Sequence, residues 1–148
     1  MSNVKLAAES WESLFRAQVT LMRRFAADDI WQPISMREYD VLFTLSHCPE
    51  GLRLNDLNEE ILISQPSLSR MVERLEAKGL VVKEPAADDR RGTRIRLSEA
   101  GARMQKQIGR RHVASIAKYL GPALSDDEMK SLQLLCTKLR HAQAEIPD

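Results

Sequence analysis

"SQPSLSRMVERLEAKGLVVKEPAADDRRGTRIRLSEAG", residues 64–101, is the stretch whose reading decides the fold. Its first half has a helical period. Leu68, Val72 and Leu75 fall at i, i+4 and i+7, with Met71 on the edge of the same stripe. The helix begins near Ser64, and Pro66 sits in the first turn, where a missing N–H costs nothing. Lys78-Gly79 closes the helix with a cation in the last turn and then a C′ glycine. The period then changes to two. Leu80–Glu84 and Thr93–Leu97 are short β-like runs; on the second, Ile95 and Leu97 point one way, Arg94 and Arg96 the other. Gly92 is expected to supply the backbone freedom of a tight hairpin.

Upstream, "LRLNDLNEEILI" at 52–63 places Leu54, Leu57 and Ile61 on one side of a short helix, with Asn55 as its expected cap. Two short helices joined by a few residues form a helix-turn-helix, and a β-hairpin directly after it makes a winged helix. Residues 4–28 read as a long helix, with Trp11, Leu14, Phe15, Met22 and Phe25 at helical spacing. "SMRE" at 35–38 and "SDDE" at 125–128 each have the capping-box form S-x-x-E. The first opens a helix with Val41, Leu42 and Leu45 inward. The second opens one carrying Met129, Leu132, Leu135, Cys136 and Leu139, while Ser98 opens another that runs to about Leu120. The expected fold class is therefore mainly α with a small β-hairpin wing. Its expected divisions are an N-terminal helix in 1–34, a winged helix-turn-helix in 35–99 and C-terminal helices in 100–148.

Composition excludes more than it selects. The chain of 148 residues is 43% apolar but only 5% aromatic, which suits helical packing better than a β-sandwich. No apolar run approaches the ~18–20 residues of a membrane span, so no membrane partner is expected. "MSNVKLAAESWESLF" has neither the apolar core nor the cleavage site of a secretory signal, and a cytoplasmic location is expected. Gly-rich phosphate loops, G-x-S-x-G and H-E-x-x-H are all absent, which argues against an enzyme. His47, His112 and His141, with Cys48 and Cys136, have no metal-ligand spacing. Neither a metal nor a cofactor is expected.

The chemistry lies on the outward face of the 65–78 helix. Half a turn from its buried stripe come Pro66, Ser67, Arg70, Glu73 and Arg74, with Ser69 on the flank. A helix entering a major groove needs small residues for close approach, hydroxyls and an amide for base edges or phosphates, and arginine for guanine or backbone. Ser64, Gln65, Pro66, Ser67, Ser69, Arg70 and Arg74 fit that demand. At the hairpin tip, Arg91 is a candidate for a narrow minor groove, whose negative potential attracts guanidinium groups. Asp89 is read as the brace that holds Arg91 in one pose, with Arg90 and Arg94 as further DNA contacts. Residues 64–97 hold eight Arg and Lys against five acids, an excess of three in a chain of formal charge +1. Positive charge is thus concentrated on the proposed double-stranded DNA face.

These motifs resemble the winged-helix core of the multiple-antibiotic-resistance-regulator (MarR) family of bacterial transcription factors. The resemblance rests on S-x-x-R-x-V-x-R-L-E-x-x-G-L-V in the helix, D-x-R-x at the tip, and L-S/T-x-x-G opening the next helix. It implies that Arg91 is the wing arginine and Asp89 its partner, with Ser67, Ser69 and Arg70 on the recognition helix. Pro66 departs from the small polar residue many relatives carry there. The resemblance also implies a homodimer built from the first helix and the last two, a pseudo-palindromic operator, and repression relieved by a small aromatic or anionic effector. Trp11, Phe15, Arg16, Trp31 and His47 are the candidate effector residues. Alternative readings are a thiol-based redox regulator using Cys48, beside His47, or Cys136, and a winged helix used for protein contacts.

Overall fold

The computed structural model describes residues 3–61, 63–86 and 89–148, with the side chains of Asp89, Arg90 and Arg91 outside that description. In chain order the elements are α1 (Val4–Ala27), α2 (Met36–Ser46), β1 (Leu52–Arg53), α3 (Leu54–Glu60), α4 (Gln65–Ala77), β2 (Val81–Ala86), β3 (Asp89–Leu97), α5 (Glu99–Leu120) and α6 (Asp126–Ala142), with a 3-10 turn at Gln143–Glu145. The chain forms two compact units, one reaching to His112 and the other running from Val113 to Asp148.

In the first unit, Val41, Leu42, Leu45, Leu57, Leu68, Val72, Leu75 and Ile108 are sealed from solvent. They come from α2, α3, α4 and α5 at the spacing their periods require. Trp31, Ile34, Tyr39, Leu80, Val81 and Ile95 complete the core. The termini are set by local chemistry. Ser35 and Glu38 form the reciprocal capping box of α2. Glu38 is buried, and its second carboxylate oxygen lies 3.5 Å from Lys78 Nζ at the C-cap of α4. One carboxylate therefore caps one helix and ties down the end of another.

The wing is a three-stranded antiparallel sheet in the order β1-β3-β2. Leu52 pairs with Ile95 and Arg53 with Arg94; on the other edge Val81 to Glu84 pair with Leu97 back to Arg94. Ser98 joins sheet to helix: its hydroxyl donates to the Gly79 carbonyl at 2.6 Å and accepts from Gly101 N at 3.0 Å. At Gly101 a Cβ would fall on the Leu80 carbonyl oxygen, so only glycine admits this approach of α5.

Two expectations need correction, and one strand was not expected. Asn55 does not cap α3, because the helix starts one residue earlier, at Leu54, running straight out of β1 with Arg53 as N-cap. Strand β1 itself, two residues long, had no signal of its own. Gly92 is not a turn glycine: it lies within β3, and among the described residues the glycines with positive φ are Gly51 and Gly79.

The second unit carries α6, opened by the expected capping box of Ser125 and Glu128. Two hydrogen bonds from Ser125 hold the Glu128 carboxyl below the usual glutamate range. No residue of α6 is buried.

Candidate nucleic-acid interface

The buried stripe of α4, Leu68, Met71, Val72 and Leu75, fixes which of its residues face outward. Ser64, Gln65, Pro66, Arg70 and Arg74 are exposed, and Ser67 is half-buried. They form a linked polar row. The Ser64 hydroxyl accepts from Ser67 N at 3.3 Å and donates to the Ser67 hydroxyl at 2.8 Å, and Arg70 Nη2 donates to that same oxygen at 3.3 Å. Gln65 Nε2 donates to Asn55 Oδ1 at 2.8 Å, locking the start of α4 to α3. Inside the turn, Asn58 Nδ2 donates to the Ile63 carbonyl at 2.9 Å. These exposed bonds are each worth ~0.5–1.5 kcal/mol net, so a polyanion offering equivalent acceptors can exchange with them.

Ser69 departs from this row. It lines a cavity of about 180 Å³ between α4 and the wing, with Leu54, Val72, Lys83, Thr93 and Ile95.

On the sheet, Ile95 points into the core, whereas Arg53, Glu84, Arg94 and Arg96 share the opposite face. Arg96 Nε bonds Glu84 Oε1 at 3.0 Å. Arg94 Nη1 donates to the Gly51 carbonyl at 3.2 Å, toward the base of the sheet. The side chains of Asp89, Arg90 and Arg91 lie outside the described residues, so the expected brace between Asp89 and Arg91 lies outside them too; the backbone of all three is in β3. Sequence reasoning missed two residues here, Asn55 and Arg53. Both owe their place to partners distant in the chain, Gln65 for the first and β3 for the second.

The candidate effector residues do not gather. Trp11 and Phe15 pack on each other at 5.8 Å on the exposed face of α1, and Arg16 pairs with Glu12 at 3.0 Å. His47 caps α2, with Nδ1 3.0 Å from the Phe43 carbonyl. Trp31 is buried, donates from Nε1 to the Phe25 carbonyl at 2.7 Å, and borders a cavity of about 570 Å³. That cavity is lined by the end of α1, the loop and the start of α2, with Asp28, Asp29 and Arg37 as its charged groups. Behind Trp31 the His112 ring stands 4.9 Å from Phe25 and from Trp31 and 5.6 Å from Tyr39. Burial lowers its pKa from the ordinary 6.5, against the pull of Asp40 and Asp28. Cys48 is a half-buried free thiol and Cys136 an exposed one.

Residues 32–92 match the MarR family model. These residues run from just before α2 to the first residues of β3. Over this segment, less than half of its length, the chain is similar to the MarR family. It is 27% identical over 123 residues to the HTH-type transcriptional regulator PecS of Dickeya dadantii (strain 3937), covering 80% of this chain and 74% of PecS. Its fold matches Sco3205, a MarR-family transcriptional regulator from Streptomyces coelicolor solved in complex with DNA, at a TM-score of 0.77 and 22% identity over 96% of this chain and 90% of that one. It matches a mutant of MarR from E. coli, solved with operator DNA, at 0.74 and 21% identity over 94% and 99%. The chain thus shares its fold with both solved proteins.

Proposed function

We propose that the protein is a sequence-specific, DNA-binding transcriptional regulator that acts as a repressor and binds a pseudo-palindromic operator as a homodimer. The observation that carries this reading is the linked row Ser64-Ser67-Arg70 with Gln65 and Arg74, presented on a helix whose opposite face is buried. The row meets base edges and phosphates of the major groove. Arg91, braced by Asp89, enters the flanking minor groove, with Arg90 and Arg94 beside it. MarR and Sco3205, similar in fold, are each known in complex with DNA.

Two exposed apolar stretches support the homodimer. Trp11, Phe15, Val19 and Met22 lie along α1, and Leu132, Leu135 and Leu139 along α6. Such stripes are too apolar to stay in water on a small protein. Two copies related by a two-fold axis then place their recognition helices about one DNA turn apart. The effector is a small aromatic molecule held in the cavity beside Trp31, where Arg37 offers a cation to an anionic group.

Selection from a random duplex pool, followed by gel shifts across a salt series, tests the reading. Enrichment of a two-fold-symmetric site is expected, with affinity falling steeply as salt rises. Arg91→Ala weakens binding to that site without lowering the unfolding midpoint. Recovery of no site, or salt-independent binding, ends the proposal.

A further inference from the structure

Gly92 sits in an ordinary strand conformation, so its backbone does not call for glycine. What lies against it is the guanidinium of Arg53, which a side chain at this position would displace. A Cβ on Gly92 would overlap Arg53 Nη1 and stand 2.9 Å from Cζ and 3.2 Å from Nη2. The guanidinium of β1 is thus laid against the bare backbone of β3, one residue from Arg91. Arg53 and Arg94 are direct cross-strand partners with like charges, and they diverge: Arg94 reaches toward Gly51 at the base of the sheet, Arg53 toward the tip. Arg53 is also the N-cap of α3, and α3 is tied to the start of α4 by Asn55 and Gln65.

We infer that Arg53 is a positioning residue for the wing: seated on Gly92, its guanidinium holds the tip of β3 at a set height relative to the recognition helix. The inference rests on the reading of the wing as a DNA contact. Arg53 is a rigid planar group that spans from the cap of the helix-turn-helix to the neighbour of Arg91, and lysine cannot replace it because its ammonium has no plane to lay on the strand. A misplaced wing leaves the major-groove contacts intact and loses those in the minor groove.

The test is a double-mutant cycle on the full-length protein, using a duplex selected by the wild type. Arg53→Ala and Gly92→Ala each weaken affinity about tenfold, and the double variant also loses about tenfold rather than about a hundredfold, because both substitutions remove the same contact. Arg53→Lys behaves as Arg53→Ala. Hydroxyl-radical protection of the flanking minor groove fades in every variant, while protection of guanine N7 in the half-sites persists; a general loss of stability would weaken both together. Additive losses, or Arg53→Lys with wild-type affinity and footprint, overturn the inference. Arg91→Ala on the same duplex separates the two levels. Unchanged affinity there removes the wing reading and this inference with it, whereas a loss there beside additive Arg53 and Gly92 effects removes this inference alone.

Discussion

α1 and α4 are both amphipathic helices, yet they live differently. α4 has 13 residues, four of them buried; α1 has 24 and none. Trp11 and Phe15, two of the three large aromatics of α1, are 62% and 46% exposed, whereas Leu68 and Leu75 of α4 are 0%. α1 meets the core of its unit near its last turn, through Phe25. Periodicity thus tells which side of a helix is apolar but not what covers it. For α4 the cover is the chain itself, and its free side is left for a ligand. For α1 the apolar side is what remains free, which is why we assign it to a second copy.

The largest contrast lies in truncation. Leu68→Ala on α4 removes a sealed side chain and costs about 2–5 kcal/mol, read from urea denaturation. Trp11→Ala on α1, measured at a dilution where the protein is monomeric, stays within about 0.5 kcal/mol of the wild type. Its effect falls on association: it weakens the proposed homodimer by about 2 kcal/mol or more, seen in sedimentation equilibrium, and removes the rise of unfolding temperature with protein concentration expected of it. A Trp11 variant that destabilises the dilute monomer as much as Leu68→Ala does would erase the distinction between the two helices.

A smaller effect sharpens the account of α4. The Ser64 hydroxyl accepts from Ser67 N, so Ser64→Ala lowers stability by about 1 kcal/mol, the usual cost of a lost N-cap. Because the same hydroxyl donates to Ser67, the variant also loosens Arg70, and its DNA affinity falls by more than the stability change alone explains. Gel shifts at a temperature where both proteins are fully folded separate the two contributions. Equal affinity there would show that the linked row is ornamental to binding.

How much of this was legible in the sequence follows from the range of each interaction. Ser35 with Glu38, Ser125 with Glu128, and Lys78-Gly79 all act within four residues, and all stand where their local patterns put them. The core stripe of α4 was equally plain. Strand β1 escaped because two residues carry no period; its existence depends on pairing with Arg94 and Ile95, some forty positions on. Asn55 was misread for the same reason, since β1 delivers the chain directly into α3 and moves the cap back to Arg53. Gly92 has the right residue type for a turn but lies within β3, with an arginine from another strand laid against it. On the candidate interface, the outward row of α4 was readable from one helix. The five candidate effector residues do not gather: the cavity beside Trp31 is assembled from an α1 end, a loop and an α2 start, which has no linear spacing, and of the five Trp31 lines it.

The smallest predicted effect tests where α1 is anchored. Phe25 of α1 rests on the His112 ring, which also touches Trp31 and Tyr39. Burial lowers the His112 pKa below 6.5, so the unfolded chain takes up its proton first as acid is added. The stability due to neutral His112 is complete above 6.5 and is lost as the pH falls toward the lowered folded value. Asp40 works in the opposite sense: burial raises its pKa above 3.8 against the pull of His112, so its charged form weighs on the fold at neutral pH and that weight lifts as acid protonates it. Between pH 7 and the range where Asp40 titrates, the His112 contribution therefore governs, and acid loosens the end of α1. The unfolding temperature of the wild type falls from pH 7 to pH 5.5, and His112→Phe, which keeps a ring among the aromatics without the titration, falls less. If the two proteins share one slope, the anchor of α1 does not pass through this imidazole, and the helix is held to its unit by the Trp31 bond to the Phe25 carbonyl instead.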